Sequence, residues 1–487
     1  MPDQSLKDKT INGVFWNAIS RFSTQGIQFV FNILIARILM PEDYGVVALL
    51  NIFLAVSQAF IDSGFGNALV RKKSRTEADY NTVFYFNIVV STLFCALLWL
   101  FAPAISRFYK TPILTQITRI VCFNLVINAF GAIQQTKLTI DINFKTKALV
   151  SIITVSAVGV AGLWMAKHGY GIWALVVQSV VSSTFNTILL WLFVRWRPRF
   201  VFSWRSFQQM FSFGSKLLAS GLIDTIWGNM YSLVIGKVIN PTALGVYNRA
   251  ESFATFPSSN IYGLVQGVSY PVLCSIQDDE QKLRETFRKY IRLFAYVTFP
   301  MMIGLAIVAD PFIRLVLTDN WAESIPYLQI LCLALMWYPI DAMNITFPNV
   351  LGHSEYYLRA VIANKAISLV ALLATVPFGL TVMCIGQVFV YIVFLFINSY
   401  YTGKLINYDV FKQLRDIIPI LIVSVFMGVI VYLVSLVIHS TLLKLVLGIL
   451  SGFLFYWGLT ALLKFKEYLF IVDIIKEKTR GRVSRIA

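Results

Sequence analysis

Long apolar runs separated by short polar connections dominate the hydrophobicity pattern along the chain. Each run has about twenty residues or more, which is the length a helix needs to cross a bilayer. Backbone polar groups in hydrocarbon must be paired within their own segment, so the runs are predicted to be α-helices. We predict fourteen of them, at residues 11–39, 44–70, 80–106, 113–138, 146–167, 171–194, 208–235, 242–275, 287–309, 323–351, 356–377, 380–403, 414–438 and 441–463. The second and eighth are unusually long, which favours a kink or a break in each.

The composition agrees with an all-α polytopic membrane protein. Of 487 residues, 57% are hydrophobic and only 13% are charged, and the mean hydropathy is +0.71. A soluble chain typically carries about 25% charged residues. The five cysteines and three histidines are scattered without metal-ligand or redox spacing, so no metal site or nucleophilic triad is predicted.

The net charge of +17 could indicate nucleic acid, but the placement of the charges argues against it. Most Lys and Arg residues lie in the N-terminus, the even-numbered connections and the C-terminus, as in "RKKSR" (71–75), "RWRPR" (195–199) and "KEKTRGRVSR" (476–485). This asymmetry follows the positive-inside rule and predicts that both termini are cytoplasmic. For the basic tail and for "RWRPRFVFSWRSF" (195–207), contact with anionic membrane lipids is a second interpretation.

Two stretches two hundred residues apart share the same order of residue types. "IARILMPEDYGVV" (35–47) and "IGKVINPTALGVY" (235–247) both carry a cation, then a proline, then Gly-Val. The cation meets the negative end of a helix dipole, and the proline ends that helix or opens the next. Six predicted helices separate the copies, an even number, so the two copies cross the membrane in the same direction. Convergence of two tight hairpins on similar turn chemistry remains the alternative to duplication.

Duplication predicts two six-helix lobes related by a parallel pseudo-twofold axis along the membrane normal. The N-lobe would span 1–200 and the C-lobe 201–405, followed by two further helices in 406–464 and a basic cytoplasmic tail in 465–487. The two hairpins are then expected to approach each other across the axis.

The sequence resembles the polysaccharide-exporter branch of the MOP superfamily, which includes the Wzx-type flippases. The resemblance rests on "ARILMPEDYGVVAL" (36–49), "FIDSGFGNALVRK" (60–72), "GKVINPTALGVYNRAESFATFPSSN" (236–260) and "YPVLCSIQDD" (270–279). It implies flipping of undecaprenyl-pyrophosphate-linked oligosaccharides from the inner to the outer leaflet of a bacterial cytoplasmic membrane. It also implies that the first, second, seventh and eighth helices line a cleft between the lobes.

Ionisable residues inside the predicted spans are candidate functional groups, because each costs roughly 2.5–3.5 kcal/mol on insertion scales. The cations are Arg21, Lys216, Arg249 and Lys365, and the anions are Asp62, Asp224, Glu251 and Asp341. A pyrophosphate favours arginine, whose planar fork binds two oxygens at once. We therefore predict that Arg249 and Arg21 bind it, with Lys216 and Lys365 as point charges. For Arg21 and Lys216, snorkelling to the cytoplasmic interface is the alternative.

The carboxylates are predicted to act as gating groups or charge partners. Asp62 precedes the glycine-rich "SGFG" (63–66), where the second helix can bend. Asp224, with Asn364 and Ser368 one turn apart on the eleventh helix, is similar to the C-lobe cation site of some superfamily members. This sequence departs from that pattern, since the eleventh helix lacks a second carboxylate and carries Lys365 beside Asn364.

The expected partners are the lipid-linked oligosaccharide, membrane lipids and the polysaccharide polymerase machinery. No cofactor is predicted; membrane potential, H⁺ and Na⁺ remain open as energy sources. Two other functions are alternatives. A drug or cation antiporter of the same superfamily would typically have twelve spans and carboxylate-rich lobes. A membrane-embedded polymerase or acyltransferase would usually show a large periplasmic loop with Arg or His, or an intramembrane His.

Overall fold

The structure, a computed structural model, describes residue 16 and residues 23–62, 64–264, 267 and 269–483, and none of these lies in a β-strand. It contains two compact units, Met1–Gly245 and Val246–Ala487. Helices that begin in the first unit are α1 (described over 23–36), α2 Pro41–Ala48, α3 Asn51–Asp62, α4 Phe65–Arg71, α5 Glu77–Tyr109, α6 Leu114–Val121, α7 Phe123–Ile140, α8 Phe144–Lys167, α9 Ile172–Phe193, α10 Trp204–Gly228, α11 Met230–Val238 and α12 Pro241–Leu264. The second unit continues with α13 Tyr270–Ser275, α14 Glu280–Ile307, α15 Ala309–Val316, α16 Ser324–Leu335, α17 Tyr338–Val350, α18 Ser354–Thr375, α19 Leu380–Ile406, α20 Val410–Val437, α21 Thr441–Leu462 and α22 Lys466–Val483, with 3₁₀ turns at Asp319–Trp321 and Val376–Phe378.

Membrane-spanning helices make up most of the described chain. Eleven of them are long and apolar enough to cross a bilayer. They correspond to the second to sixth and ninth to fourteenth predicted runs. The first, seventh and eighth runs are helical where described but fall outside this set, and these runs carry Arg21, Lys216, Asp224, Arg249 and Glu251. The all-helical polytopic class is therefore confirmed, while the number fourteen stays a prediction.

The second run is broken, as its length predicted. The second run is divided into α2, α3 and α4, and Gly64 precedes α4 with φ +71°. This left-handed conformation suits glycine, which has no Cβ to clash with the backbone. In the eighth run, α12 is described to Leu264 and α13 begins at Tyr270; most of the residues between them lie outside the described part of the chain, so a break in this run stays a prediction.

Polar residues at helix starts and loops fix the first unit at one end of α5. Asn81 Oδ1 accepts a hydrogen bond from the backbone N–H of Arg199 at 2.6 Å, and Thr82 Oγ1 accepts one from Ser203 at 3.0 Å. The indole of Trp196 donates to the Glu77 carboxylate at 3.0 Å. Asn81 and Thr82 therefore satisfy backbone N–H groups of the basic connection around 195–203, and these hydrogen bonds hold the connection against α5.

Ion pairs join three helices at one end of the second unit. Arg288 on α14 binds both carboxylate oxygens of Asp416 on α20 at 2.5 Å, and Tyr408 donates to the same carboxylate at 2.7 Å. Arg292 lies 2.5 Å from Glu467 at the start of α22. Burial, together with the hydrogen bond to Asp416, raises the pKa of Tyr408 above its ordinary value. The neutral phenol therefore remains a donor to Asp416 across the physiological pH range.

The two repeated hairpins meet inside the first unit, as the sequence predicted. Pro41 opens α2 and Pro241 opens α12. A Cβ added to Gly45 would lie 1.7 Å from the carbonyl oxygen of Pro241, and a Cβ added to Gly245 would lie 1.9 Å from that of Pro41. The contact is thus reciprocal and backbone to backbone, and small residues are what permit such an approach. The lobe duplication itself stays a prediction.

Candidate functional site

A polar cavity lies within the first unit, among membrane-spanning helices. It has a volume of about 490 Å³ and is lined from α3, α4, α5, α7 and α9. The predicted gating residue Asp62 lines it from the last position of α3 and accepts a hydrogen bond from Gln58 at 2.9 Å. Gly64 and Gly66, on the far side of the break, line it as well. The break in the second run therefore adjoins the cavity.

The best pyrophosphate candidate, Arg249, lies half-buried on α12 in the second unit. Its guanidinium carbon is 4.9 Å from the ring centroid of Trp321, which is fully buried. This cation–π contact stabilises the positive charge electrostatically and consumes no N–H donor. The sequence indicated that Arg249 needs a partner other than Glu251, since residues two apart on a helix do not face each other. Trp321 is such a partner.

Glu251 takes part in a separate hydrogen-bonded chain. The buried phenol of Tyr247, one helical turn away, donates to the Glu251 carboxylate at 3.1 Å. Gln387 on α19 donates to the Tyr247 oxygen at 2.9 Å. An amide, a phenol and a carboxylate thus connect α12 to α19. The structure thus gives Glu251 a hydrogen-bond donor in Tyr247, and its role as a charge partner stays a prediction.

Asp341 is a buried carboxylate on α17. Only 4% of its surface is exposed, and neither carboxylate oxygen has a hydrogen-bond partner within the described part of the chain. An ionised carboxylate without a partner is strongly disfavoured in a low-dielectric interior. A buried carboxyl of this kind in a membrane-spanning helix is a candidate functional group.

Two of the three predicted cation-site residues are close together on α18. Asn364 and Ser368 are both buried, and the Asn364 amide donates to Asn398 Oδ1 at 3.1 Å. Asn364 Oδ1 has no hydrogen-bond partner among the described residues, so an acceptor suitable for a cation is present. The third residue, Asp224, lies exposed on α10 in the first unit. Among the described residues, no cluster of three or more His, Cys, Asp or Glu could hold a metal ion.

The structure gives less information about the surroundings of the other three predicted cations. Lys365 is half-buried on α18, next to Asn364. Lys216 belongs to α10, and Arg21 lies outside the described residues. Their assignment to the pyrophosphate stays a prediction.

Sequence reasoning missed several residues that contact the candidates. Tyr247 could have been found, because it precedes Glu251 by four positions on the same helix and i,i+4 residues are neighbours. Trp321, Gln387 and Asn398 could not, because they come from segments distant in sequence. The amide residues of the cavity carried a signal, since they interrupt apolar runs.

Comparison with known proteins places the chain in a family. The family model described as "Polysaccharide biosynthesis protein" matches residues 34–326, which is more than half of the chain. The chain belongs to this family. The resemblance read from the quoted motifs is thereby confirmed.

Individual members of the family are similar over long stretches. Teichuronic acid biosynthesis protein TuaB of Bacillus subtilis is 27% identical over 438 residues, covering 89% of this chain and 90% of that protein. Lipopolysaccharide biosynthesis protein WzxC of Escherichia coli is 27% identical over 334 residues, covering 67% of each chain.

Among solved structures, the fold is similar to that of the lipid II flippase MurJ in an inward closed conformation. The TM-score is 0.74, with 95% of this chain and 100% of MurJ covered, at 16% identity. Together the comparisons confirm the predicted family, and the MurJ match confirms the predicted all-helical membrane fold.

Proposed function

We propose that this family member flips lipid-linked oligosaccharide units from the inner to the outer leaflet of a bacterial cytoplasmic membrane, for surface polysaccharide biosynthesis. The observation that carries the proposal is the family match over 34–326, most of the membrane-spanning core. We take the lipid carrier to be undecaprenyl pyrophosphate. WzxC and TuaB, named for lipopolysaccharide and teichuronic acid biosynthesis, support a polysaccharide precursor as cargo.

The costly charges within the spans support a polar cargo with an anionic group. A pyrophosphate head group combines high charge with closely spaced oxygens, which an arginine fork binds in two places. Arg249 beside Trp321 is the group that we assign to it, and Arg21, Lys216 and Lys365 add positive charge. The prenyl tail remains in lipid, while the sugars cross in water-filled space within the protein.

The membrane potential can drive the cycle. Moving one elementary charge through 100 mV changes the free energy by about 2.3 kcal/mol. An unloaded cationic binding site is drawn toward the negative cytoplasm, and a bound pyrophosphate cancels its charge on the way out. Asp341 and the Asn364–Ser368 pair are the residues that we would test first if H⁺ or Na⁺ also contributes.

The orientation can be tested with single cysteines in a variant lacking the five native ones. Lys73 and Arg199 are exposed in basic connections that we place in the cytoplasm, and Lys110 is exposed in a connection that we place outside. In intact cells, a membrane-impermeant thiol reagent should label Lys110→Cys and leave Lys73→Cys and Arg199→Cys unmodified. All three should react after permeabilisation. Labelling of the two basic connections in intact cells would contradict cytoplasmic termini.

The flipping activity predicts where the lipid-linked oligosaccharide accumulates. In cells without this protein, the intermediate should be made in normal structure but remain in the inner leaflet. Periodate, which does not cross the membrane, should then oxidise only a small fraction of its sugars in spheroplasts. Restoring the gene should raise that fraction. An enzyme would instead change the structure or amount of the intermediate, and an unchanged leaflet distribution would refute the flippase proposal.

A further inference from the structure

The cavity of the first unit has the lining of a binding site for an uncharged polar ligand. Its lining side chains include Gln58, Asn67, Asn87, Asn128, Gln135 and Asn186, all of them amides. These residues come from five different helices, so the amides converge only in the folded chain. The volume of about 490 Å³ lies within the ~300–1,000 Å³ range of ligand pockets. Polar side chains in a membrane-spanning domain usually face such a cavity or each other.

The electrostatics of the cavity exclude the phosphate group as its ligand. No lysine or arginine is among the residues that the structure describes as lining it. Its one carboxylate, Asp62, would repel an anion and is held by the Gln58 amide. The cavity is also much larger than a single bare cation. Neutral hydrogen-bonding groups are therefore the chemistry that it fits.

One buried amide oxygen of the cavity has no hydrogen-bond partner among the described residues. Asn87 on α5 is 95% buried, and its Oδ1 has no hydrogen-bond partner within the described ranges. A buried acceptor left unpaired costs about 1–3 kcal/mol, and the cost is removed when a donor reaches it. Asn87 is thus set to accept a hydrogen bond from a group that enters the cavity.

The broken second run opens the backbone toward the same space. Asp62 ends α3, Gly64 adopts φ +71°, and Gly66 lines the cavity from α4. Broken helices are tolerated at membrane depth where they are buried in protein or line a water-filled cavity. In transporters such interruptions are a feature of substrate sites. The break and the amides are two independent observations at one location.

We propose that this cavity binds uncharged, hydroxyl-rich sugar residues of the oligosaccharide head group. The proposal rests on the proposed function and adds that two separate sites bind the two parts of the head group. Arg249 is assigned the pyrophosphate, and the amides of α5, α7 and α9 bind sugar hydroxyls. An amide offers two donors and an acceptor, so it can pair with a hydroxyl in either role.

The test measures sugar binding separately from transport. The probe is the oligosaccharide released by mild acid from the cells' own lipid-linked intermediates and labelled at its reducing end. Binding to the purified full-length protein in nanodiscs is followed by fluorescence polarisation. The double variant Asn87→Leu/Asn128→Leu should raise Kd about tenfold or more, because each lost neutral hydrogen bond contributes a factor of several.

A matched control comes from α7 itself. Asn124 lies one turn before Asn128 but donates to Ser179 at 3.2 Å and is not among the lining residues. Asn124→Leu should therefore bind the oligosaccharide as the unmodified protein does. Elution volume and melting temperature confirm that both variants fold. Farnesyl pyrophosphate, a sugar-free probe of the phosphate site, should bind equally to the double variant and to the unmodified protein.

Several results would overturn the sugar assignment. One is equal oligosaccharide affinity in the double variant and the control. Another is a melting temperature that Na⁺ alone raises in the unmodified protein but not in the double variant, because this result would assign the cavity to a cation. If the unmodified protein binds no oligosaccharide but supports flipping in the periodate assay, the cavity proposal fails and the flippase remains. If the unmodified protein neither binds the oligosaccharide nor supports flipping, the proposed flippase function itself is refuted.

Discussion

Replacing Arg249 with glutamine should abolish surface-glycan export while leaving the protein folded and inserted. Glutamine removes the charge and the fork but keeps a polar, though shorter, side chain. Losing a charge-assisted hydrogen bond to phosphate costs about 1.5–3 kcal/mol, a roughly 10- to 150-fold loss of affinity. Misorientation of the head group adds to that loss. Export is measured as cell-surface polysaccharide, normalised to the amount of the protein in the membrane.

Two variants define what Arg249 contributes. Arg249→Lys should recover part of the export, because an ammonium restores the charge but cannot grip two oxygens at once. Arg314→Gln is the matched control, since Arg314 is an arginine of the same unit that is exposed and paired with Asp310 and Asp319. It should export normally. Normal export by Arg249→Gln at normal abundance would eliminate the binding role and direct attention to Lys365.

Adding one methyl group at the hairpin contact should be strongly destabilising. In Gly45→Ala, the new Cβ would overlap the carbonyl oxygen of Pro241 at 1.7 Å. Backbone cannot move aside as a flexible side chain can, so α2 and α12 must separate. We expect a loss of about 2–3 kcal/mol in the free energy of unfolding, in the range of overpacked cores. It is read as a lower melting temperature in detergent, with a parallel loss of export.

The reciprocal geometry gives this prediction a distinctive control. Gly245→Ala should have a similar effect, and the double variant should cost little more than either single one, because residues sharing one contact are not additive. Gly221→Ala on α10 has no neighbouring atom within 4 Å of the added Cβ. It should be neutral or slightly stabilising, since alanine favours a helix over glycine by about 1 kcal/mol. Additive losses at Gly45 and Gly245 would show that the two positions do not share a contact.

The fold followed from the sequence to the extent that local physics determines it. Apolar runs must be helical in hydrocarbon, so helix positions, the break in the second run, and the helix starts at Pro41 and Pro241 were all foreseeable. The close approach of Gly45 and Gly245 was foreseeable as a meeting of hairpins. Its tightness was not, because interatomic distance depends on packing that the sequence does not specify.

The candidate site was foreseeable in part. Charges such as Arg249 and Asp341 stand out because they are costly in a membrane. Their surroundings do not, since Trp321 reaches Arg249 from a 3₁₀ turn more than seventy positions away along the chain. The neutral amides Asn87 and Asn128 also interrupt apolar runs, but an amide in a membrane helix is a weaker signal than a charge because it costs less to insert. Only the folded chain shows that they face one cavity.

The amide lining also bears on how such a transporter could change its cargo during evolution. Epimeric sugars differ in the direction of one hydroxyl group. To distinguish them, the cavity needs a hydrogen-bond donor or acceptor at a different place in its lining. Exchanges among Asn, Gln, Ser and Thr around the cavity can make that change without adding a charge to a membrane-spanning helix. On the proposed assignment of roles, the recognised glycan could therefore change through this cavity while Arg249, the residue that we assign to the pyrophosphate, stays the same.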